Sequence, residues 1–300
     1  MMEHLDIHFL NVGHGDCTFV DFPSGHLTVI DINNSKSLPN DDEVALAFEK
    51  GLTLSQFRNA GLNKESWEDY YRSLLVDPAQ FYKDNFSSKD IFRYIQTHPD
   101  MDHMSGLCRM FWQDDVTVHN FWDTTHTKMF NEEEFDKGRY NWDDWLTYSL
   151  MRDGKVQEND RHKVILNVKG DTGDHWTSDG ITVLSPTAEL VDYCNKQEDW
   201  NNSSYVLRID YAGRRVVLAG DAEKPAWDSV EAHHEDSELK CDVLKAAHHG
   251  RNSGYSESAV TAMDPSLVIC SVGKKRLSCS IRGCPDPPLT RATPVSAYVF

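Results

Sequence analysis

Four residues able to bind a metal fall within six positions of one another in the segment THPDMDHMSG, residues 97–106: His98, Asp100, Asp102 and His103. They follow the strand-like run Ile91 to Ile95 and precede Gly106, a spacing that suits a short loop folded around a cation. Imidazole and carboxylate together suit Zn²⁺, Mn²⁺ or Fe, whereas a set of thiolates would suit a closed structural zinc. Taken alone, the segment also reads as an exposed polar turn. Two further apolar runs end in the same way: Leu218 leads to Asp221, and Val243-Leu244 leads to His248 or His249. If these strands lie in packed sheets with aligned ends, the side chains meet at one rim. Asp31 also ends a strand-like run and can accept a hydrogen bond from a ligating histidine.

The elements that must position these residues form two clusters of strands. Leu5 to Asn11, Cys17 to Phe22 and His26 to Ile30 make a meander joined by the turns Gly13-His14-Gly15-Asp16 and Pro23-Ser24-Gly25. Helix-like spacing occurs at Glu43 to Phe48, at Trp67 to Leu75 and at Trp142 to Met151, with a strand candidate at Lys163 to Val168. The second cluster holds Ile181 to Ser185, a hairpin of Ser204–Tyr211 and Arg214–Leu218 turning at Ala212-Gly213, Cys241 to Ala246, and Pro265 to Val272, with a helix over Pro225 to His233. His119, His126, His162 and His175 lack ligand spacing and read as surface or packing residues.

At 300 residues the chain can bury a full core, and 39% hydrophobic residues with a mean hydropathy of −0.56 describe a globular protein. No apolar run approaches the ~20 residues needed to span a bilayer, and the N-terminus lacks the pattern of a signal peptide. No membrane association and a cytoplasmic location are therefore the expectations. Seven scattered cysteines do not form a disulfide framework; Cys279 and Cys284 have no second ligand pair nearby. A net charge of −18 argues against a broad basic face for nucleic acid, although bound divalent ions can supply local positive charge.

The segments NVGHGD (11–16), VIDIN (29–33), THPDMDHMSG (97–106), NNSSYVLRIDYAGRRVVLAGDAE (201–223) and LKAAHHG (244–250) together resemble the metallo-β-lactamase superfamily, and more narrowly the hydrolase domain of ComEC-type DNA-uptake proteins. The resemblance implies an α/β (α+β) fold, a four-layer αββα sandwich over residues 1–275. It would carry two helical or irregular insertions, at about 34–89 and 110–179, and a divergent turn-rich tail at 276–300. It implies two divalent ions, Zn²⁺ or Mn²⁺ with Mg²⁺ as a further option, held by His98, Asp100, Asp102, His103, Asp221 and the AHHG pair. Within that pair His248 is favoured, and its order with His249 stays open. Asp31, Asp16 and Asn202 match supporting or weak-ligand positions. Asp100 stands where the common pattern has a histidine, and a third histidine before the SYVLRI strand has no counterpart beyond Asn201, Asn202 and Ser203. Oxygen donors there favour Mn²⁺ or Mg²⁺ over Zn²⁺.

The chemistry implied is hydrolysis by a metal-bound hydroxide, with Asp102, His249 and His14 as candidate proton-handling residues. The narrower resemblance implies a phosphodiesterase or nuclease acting on nucleic acid or a nucleotide, with Lys245, Arg251 and Lys274 as candidate substrate contacts. Two alternatives stand beside it. One is a hydrolase of a thioester, lactone or β-lactam. The other is a catalytically weakened binding module that meets a protein partner through its insertions.

Overall fold

The N-terminal meander forms as its alternation predicts. β1 (Asp6–Leu10), β2 (Thr18–Asp21) and β3 (Leu27–Ile30) pair antiparallel in sequence order. In this computed structural model the described residues are 4–35, 44, 47–48, 50–59, 75–135, 140–155, 162–271 and the backbone of 295–299. After β4 (Ile32–Asn33), the chain adds β5 (Ile91–Ile95), β7 (Val118–Asp123) and β8 (Lys163–Leu166) to the meander, each parallel to its neighbour. With β14 (Val295–Val299) on the outer edge of β1, the first sheet has the order β14-β1-β2-β3-β5-β7-β8. The second sheet runs β13 (Leu267–Ile269), β12 (Val243–Lys245), β11 (Arg214–Leu218), β10 (Val206–Tyr211), β9 (Ile181–Ser185).

Side chains on successive strand positions point to opposite faces, and both sheets use this to build three cores. Phe19, Val29, Tyr94 and Phe121 face outward beneath the helices Pro78–Phe86 and Trp142–Arg152. Val20, Ile30, Ile95 and Trp122 face inward, where Leu207, Ile209, Val216, Leu218 and Val243 of the second sheet meet them. Val206, Val217 and Leu244 turn to the helices Ala188–Gln197, Lys224–His233 and Glu257–Met263. The result is the αββα sandwich implied by the sequence resemblance. Local signals start the helices: Asp77 accepts from Ala79 N and Gln80 N ahead of Pro78, and Thr187 and Ser256 cap their helices in the same way.

Three expectations need correction or limits. Residues 110–179, expected as a helical or irregular insertion, contribute to the first sheet. They supply β7 and β8 to it and the helix Trp142–Arg152 to its outer face. The sequence VHNFWD hides this strand because its last three residues are all buried, which erases the polar alternation. The tail, read as turn-rich, returns a strand at Val295–Val299, where β-branched and aromatic residues favour extension. The helix candidate Trp67 to Leu75 lies almost wholly outside the described residues, and that at Glu43 to Phe48 lies partly outside. Lys274, Cys279 and Cys284 also lie outside them. Among the described residues no helix is long and apolar enough to cross a membrane.

Candidate metal centre

Parallel neighbours bring their carboxyl ends to the same edge, so the chain leaving β3, β5, β11 and β12 converges on one rim. At the end of β3, Asp31 adopts a left-handed conformation (φ 54°), which a side chain able to hydrogen-bond locally tolerates. Its carboxylate thereby receives Thr97 N at 2.8 Å, Thr97 Oγ1 at 2.7 Å and the His103 ring at Nδ1, 2.7 Å away. The two-stranded pairing of β4 with β6 (Met104–Ser105) ties the far end of the ligand loop to the same place. The turn at Gly15 closes the other side. Its φ is +144°, and a Cβ there would fall 2.3 Å from Asn33 Nδ2 and 2.4 Å from Asp102 O, so only glycine lets the turn approach this closely.

Asp16, His103, Asp221 and His249 each present one donor atom, all within 4.8 Å of one another and all buried, and could hold one divalent ion. His103 Nε2 lies 3.2 Å from Asp221 Oδ1, and His249 Nε2 lies 3.4 Å from Asp221 Oδ2 and 3.5 Å from Asp102 Oδ2. His98 Nε2 lies 3.8 Å from Asp221 Oδ2, with its Nδ1 3.1 Å from Thr97 Oγ1. Nε2 of His98, His103 and His249 and Oδ1 of Asp221 are buried without a hydrogen bond among the described residues. Buried polar atoms are ordinarily satisfied, so four that face one another mark a place for a ligand. Three imidazole nitrogens with carboxylate oxygens fit Zn²⁺ or Mn²⁺ chemically.

Asp16 has both oxygens engaged. Lys245 Nζ donates to it at 2.8 Å, and His249 Nδ1 stands 3.3 Å from Oδ1. It thus braces His249 as Asp31 braces His103, each carboxylate fixing Nδ1 and turning Nε2 inward. Burial would raise the Asp16 carboxyl, but Lys245 and His249 outweigh it and hold it well below the usual carboxylate range. Asp102 and Asp221 are low for the same kind of reason: burial is outweighed by His249 and His103. Burial also opposes charge on His103 and His249, yet Asp221 together with Asp31 or Asp16 holds both imidazoles well above their ordinary range. His98 is lowered by burial and by the nearby His103.

The structure brings His98, Asp102, His103, Asp221 and His249 to one place, with Asp31 and Asp16 behind them. His248, favoured over His249 from the sequence, comes to the same carboxylate: His249 Nε2 is 3.4 Å and His248 Nε2 is 3.7 Å from Asp221 Oδ2. Both residues have positive φ, 46° and 57°, and this turn sends His249 into the cluster. His248 Nδ1 meets Glu223 Oε1 and Ser253 Oγ, each at 2.8 Å, so its Nε2 is the nitrogen turned toward Asp221. Lys245 cannot meet substrate as expected, since it is 3% exposed and paired with Asp16. Asn202, the candidate weak ligand, accepts from Glu223 N at 3.0 Å and Ala226 N at 3.1 Å and donates to Asp199 at 2.8 Å, so it caps a helix. His14 is buried beside the Gly15 turn, and Arg251 is exposed with Nη1 3.2 Å from His248 Nε2. Asp100 is partly exposed and forms an ion pair with Lys128, a residue that no spacing in the sequence singles out.

No family model matches the chain. ComE operon protein 3 of Bacillus subtilis (strain 168) is 37% identical over 92 residues, 31% of this chain, and the match spans about a tenth (11%) of that relative's length. Among solved structures the chain is similar to Igni18, a novel metallo hydrolase from the archaeon Ignicoccus hospitalis KIN4/I (13% identity, 88% of this chain and 81% of that one, TM-score 0.42). It is also similar to CmlA, a diiron β-hydroxylase from Streptomyces venezuelae (16% identity, 91% and 46%, TM-score 0.43). The metallo-β-lactamase fold protein YhfI from Bacillus subtilis aligns with 9% identity over 81% of this chain and 70% of that one, TM-score 0.35. Likenesses of this size carry nothing about the reaction.

Proposed function

We propose that the chain is a metal-dependent hydrolase whose ion sits between His103, His249, Asp102 and Asp221, and that it cleaves a phosphodiester bond in nucleic acid or a nucleotide. The observation that carries the hydrolase reading is the set of buried, unsatisfied Nε2 and carboxylate atoms facing one point. A divalent ion bound there lowers the pKa of a water toward neutrality and neutralises charge building on a substrate oxygen. Asp31 and Asp16 hold the two imidazoles in the tautomer that presents Nε2. Asp102, with its side chain 21% exposed, stands on the solvent side, where it would ligate the ion and orient the attacking water. His249 is withdrawn from the role of acid because both of its nitrogens are committed.

The choice of bond rests on the ComEC-like motifs and on the cationic groups Lys128 and Arg251 at the rim, which suit an anionic substrate. The test is to incubate protein loaded with Mn²⁺, Zn²⁺ or Mg²⁺ with single-stranded DNA, RNA and a cyclic dinucleotide, beside a lactone, a thioester and a β-lactam. Cleavage of a phosphodiester that disappears in Asp221→Ala is the expected result. Turnover of only the acyl substrates would move the reaction to that class. A second reading, a weakened binding module, is favoured by the ion pair of Lys128 with Asp100, which leaves the second half of the centre poor in donors. Tight metal binding with no turnover of any of these substrates is its signature.

A further inference from the structure

The donors of the centre are unevenly shared. His103, His249, Asp102 and Asp221 surround one point. Beyond that point Asp221 Oδ2 meets His98 Nε2 at 3.8 Å, itself 3.8 Å from Asp100 Oδ2, and His248 Nε2 at 3.7 Å, which is engaged by Arg251 Nη1 at 3.2 Å. In the Trp200–Ser203 turn, beside Lys128 and Asp221, Asn202 and Ser203 are already committed. Asn202 is spent on a helix cap, Ser203 Oγ donates to Trp200 O at 2.6 Å, and the next residue, Ser204, accepts at Oγ from Asp221 N at 3.1 Å. What the turn offers instead is an indole face. Lys128 Nζ lies 5.3 Å from the Trp200 ring centroid and 4.9 Å from that of Phe130, and it ion-pairs with Asp100. Aromatic faces attract cations, most strongly where water is scarce, and the Lys128 side chain is only 14% exposed.

The lysine is also held in place. Asn195 Oδ1 receives Thr127 N at 2.9 Å and Trp200 Nε1 at 3.3 Å, tying together the two segments that flank the ammonium. Arg152 Nη2 fixes the same loop through Thr124 O at 2.9 Å and His126 O at 2.8 Å.

We propose that the ammonium of Lys128 stands in for a second cation, so that the chain binds one divalent ion beside one fixed lysine charge. This rests on the first ion binding as described above. Lys128 takes the carboxylate that a second ion would need and repels any dication placed next to it. It also presents a positive charge for an anionic substrate oxygen without a second metal.

The test counts metal in the full chain, stripped with chelator, re-equilibrated with excess Mn²⁺ or Zn²⁺, and desalted. Wild type should carry one ion per chain and, with Mn²⁺, give the electron paramagnetic resonance spectrum of an isolated ion. Lys128→Gln should take up a second ion, Lys128→Arg should stay at one, and adding Asp100→Asn to Lys128→Gln should return the count to one. Two ions in the wild type, or an exchange-coupled manganese pair there, would overturn the proposal while leaving the hydrolase reading intact. A folded Lys128→Gln that stays at one ion would also overturn it. No metal in the wild type would overturn both readings. Should Lys128→Gln fail to fold, Lys128→Met serves in its place, with a second ion expected and a count of one overturning the proposal.

Discussion

At the carboxyl end of β7, Asp123 is fully enclosed. Tyr148 Oη donates to it at 2.6 Å, Thr124 N at 2.8 Å, and Arg152 Nε lies 3.0 Å away, with His126 Nε2 at 3.4 Å. At the carboxyl end of the adjacent β5, His98 and His103 begin a cluster of similar composition, also buried, also mixing aspartate with histidine. There the inward atoms Nε2 of His98, His103 and His249 and Oδ1 of Asp221 have no hydrogen bond among the described residues. Composition and burial do not separate these two regions. Satisfaction does: both Asp123 oxygens are engaged by the groups around them and the network is scaffold, whereas the second cluster satisfies its outward nitrogens and keeps several inward atoms, facing one another, for a ligand.

The contrast can be broken from either side. Asp221→Ala should empty the centre and lower hydrolysis by about a thousandfold or more, since the charge stabilisation removed is several kcal/mol. Metal analysis and initial rates check this. Asp123→Ala should do the reverse, costing on the order of 3 kcal/mol of stability by leaving Arg152 without its buried partner, with the metal count unchanged. Denaturant titration beside elemental analysis separates the two outcomes, and loss of metal in Asp123→Ala would erase the distinction.

Smaller changes sharpen it. Asp31→Asn keeps a residue that tolerates φ near 54° but removes the brace on His103 Nδ1, and metal affinity should fall about 10- to 100-fold by competition with a chromogenic chelator. Because His103 and His249 are raised in the metal-free chain, an ion must displace their protons. Below their raised values, affinity should therefore fall about tenfold for each unit the pH is lowered and each proton released, measured by calorimetry in buffers of different ionisation enthalpy. The same raised groups stabilise the metal-free fold fully below the ordinary histidine value of about 6.5, and this is lost as pH rises through their raised values. The depressed Asp16, Asp102 and Asp221 act oppositely: their contribution is present above the ordinary carboxylate range and is lost as pH falls through their lowered values. His248→Ala should be the mildest change, costing about 1 kcal/mol for its hydrogen bonds to Glu223 and Ser253 by denaturant titration of the metal-free chain.

Much of the architecture was legible because alternation writes it directly: the meander, the 204–218 hairpin and the strand ends that carry His98, Asp221 and His249 follow from period-two burial and turn residues. β7 was not, since VHNFWD sets two polar residues side by side and then two aromatics, which breaks the period of two. In the site, the direction of Asp31 could be anticipated from its place at a strand end. The order of His248 and His249 could not, because it depends on two consecutive left-handed residues that no local composition announces. Lys245 was misplaced for a related reason: a lysine in an apolar run reads as surface until its partner, 229 residues away, is known. Lys128 had no signal, its partners being aromatic faces and a carboxylate from three separate segments.

The pairing of Lys245 with Asp16 has a mechanical consequence. Lys245 belongs to β12 of one sheet and Asp16 to the turn that follows β1 of the other, and Tyr205 N to Thr97 O at 3.0 Å makes a second crossing nearby. The rim is therefore a clasp between the layers, and prying the sheets apart would strand two buried charges. Backbone amides of β5 and β12 should then exchange with deuterium in a single opening event, and that opening should slow for both strands together when an ion joins the clasp.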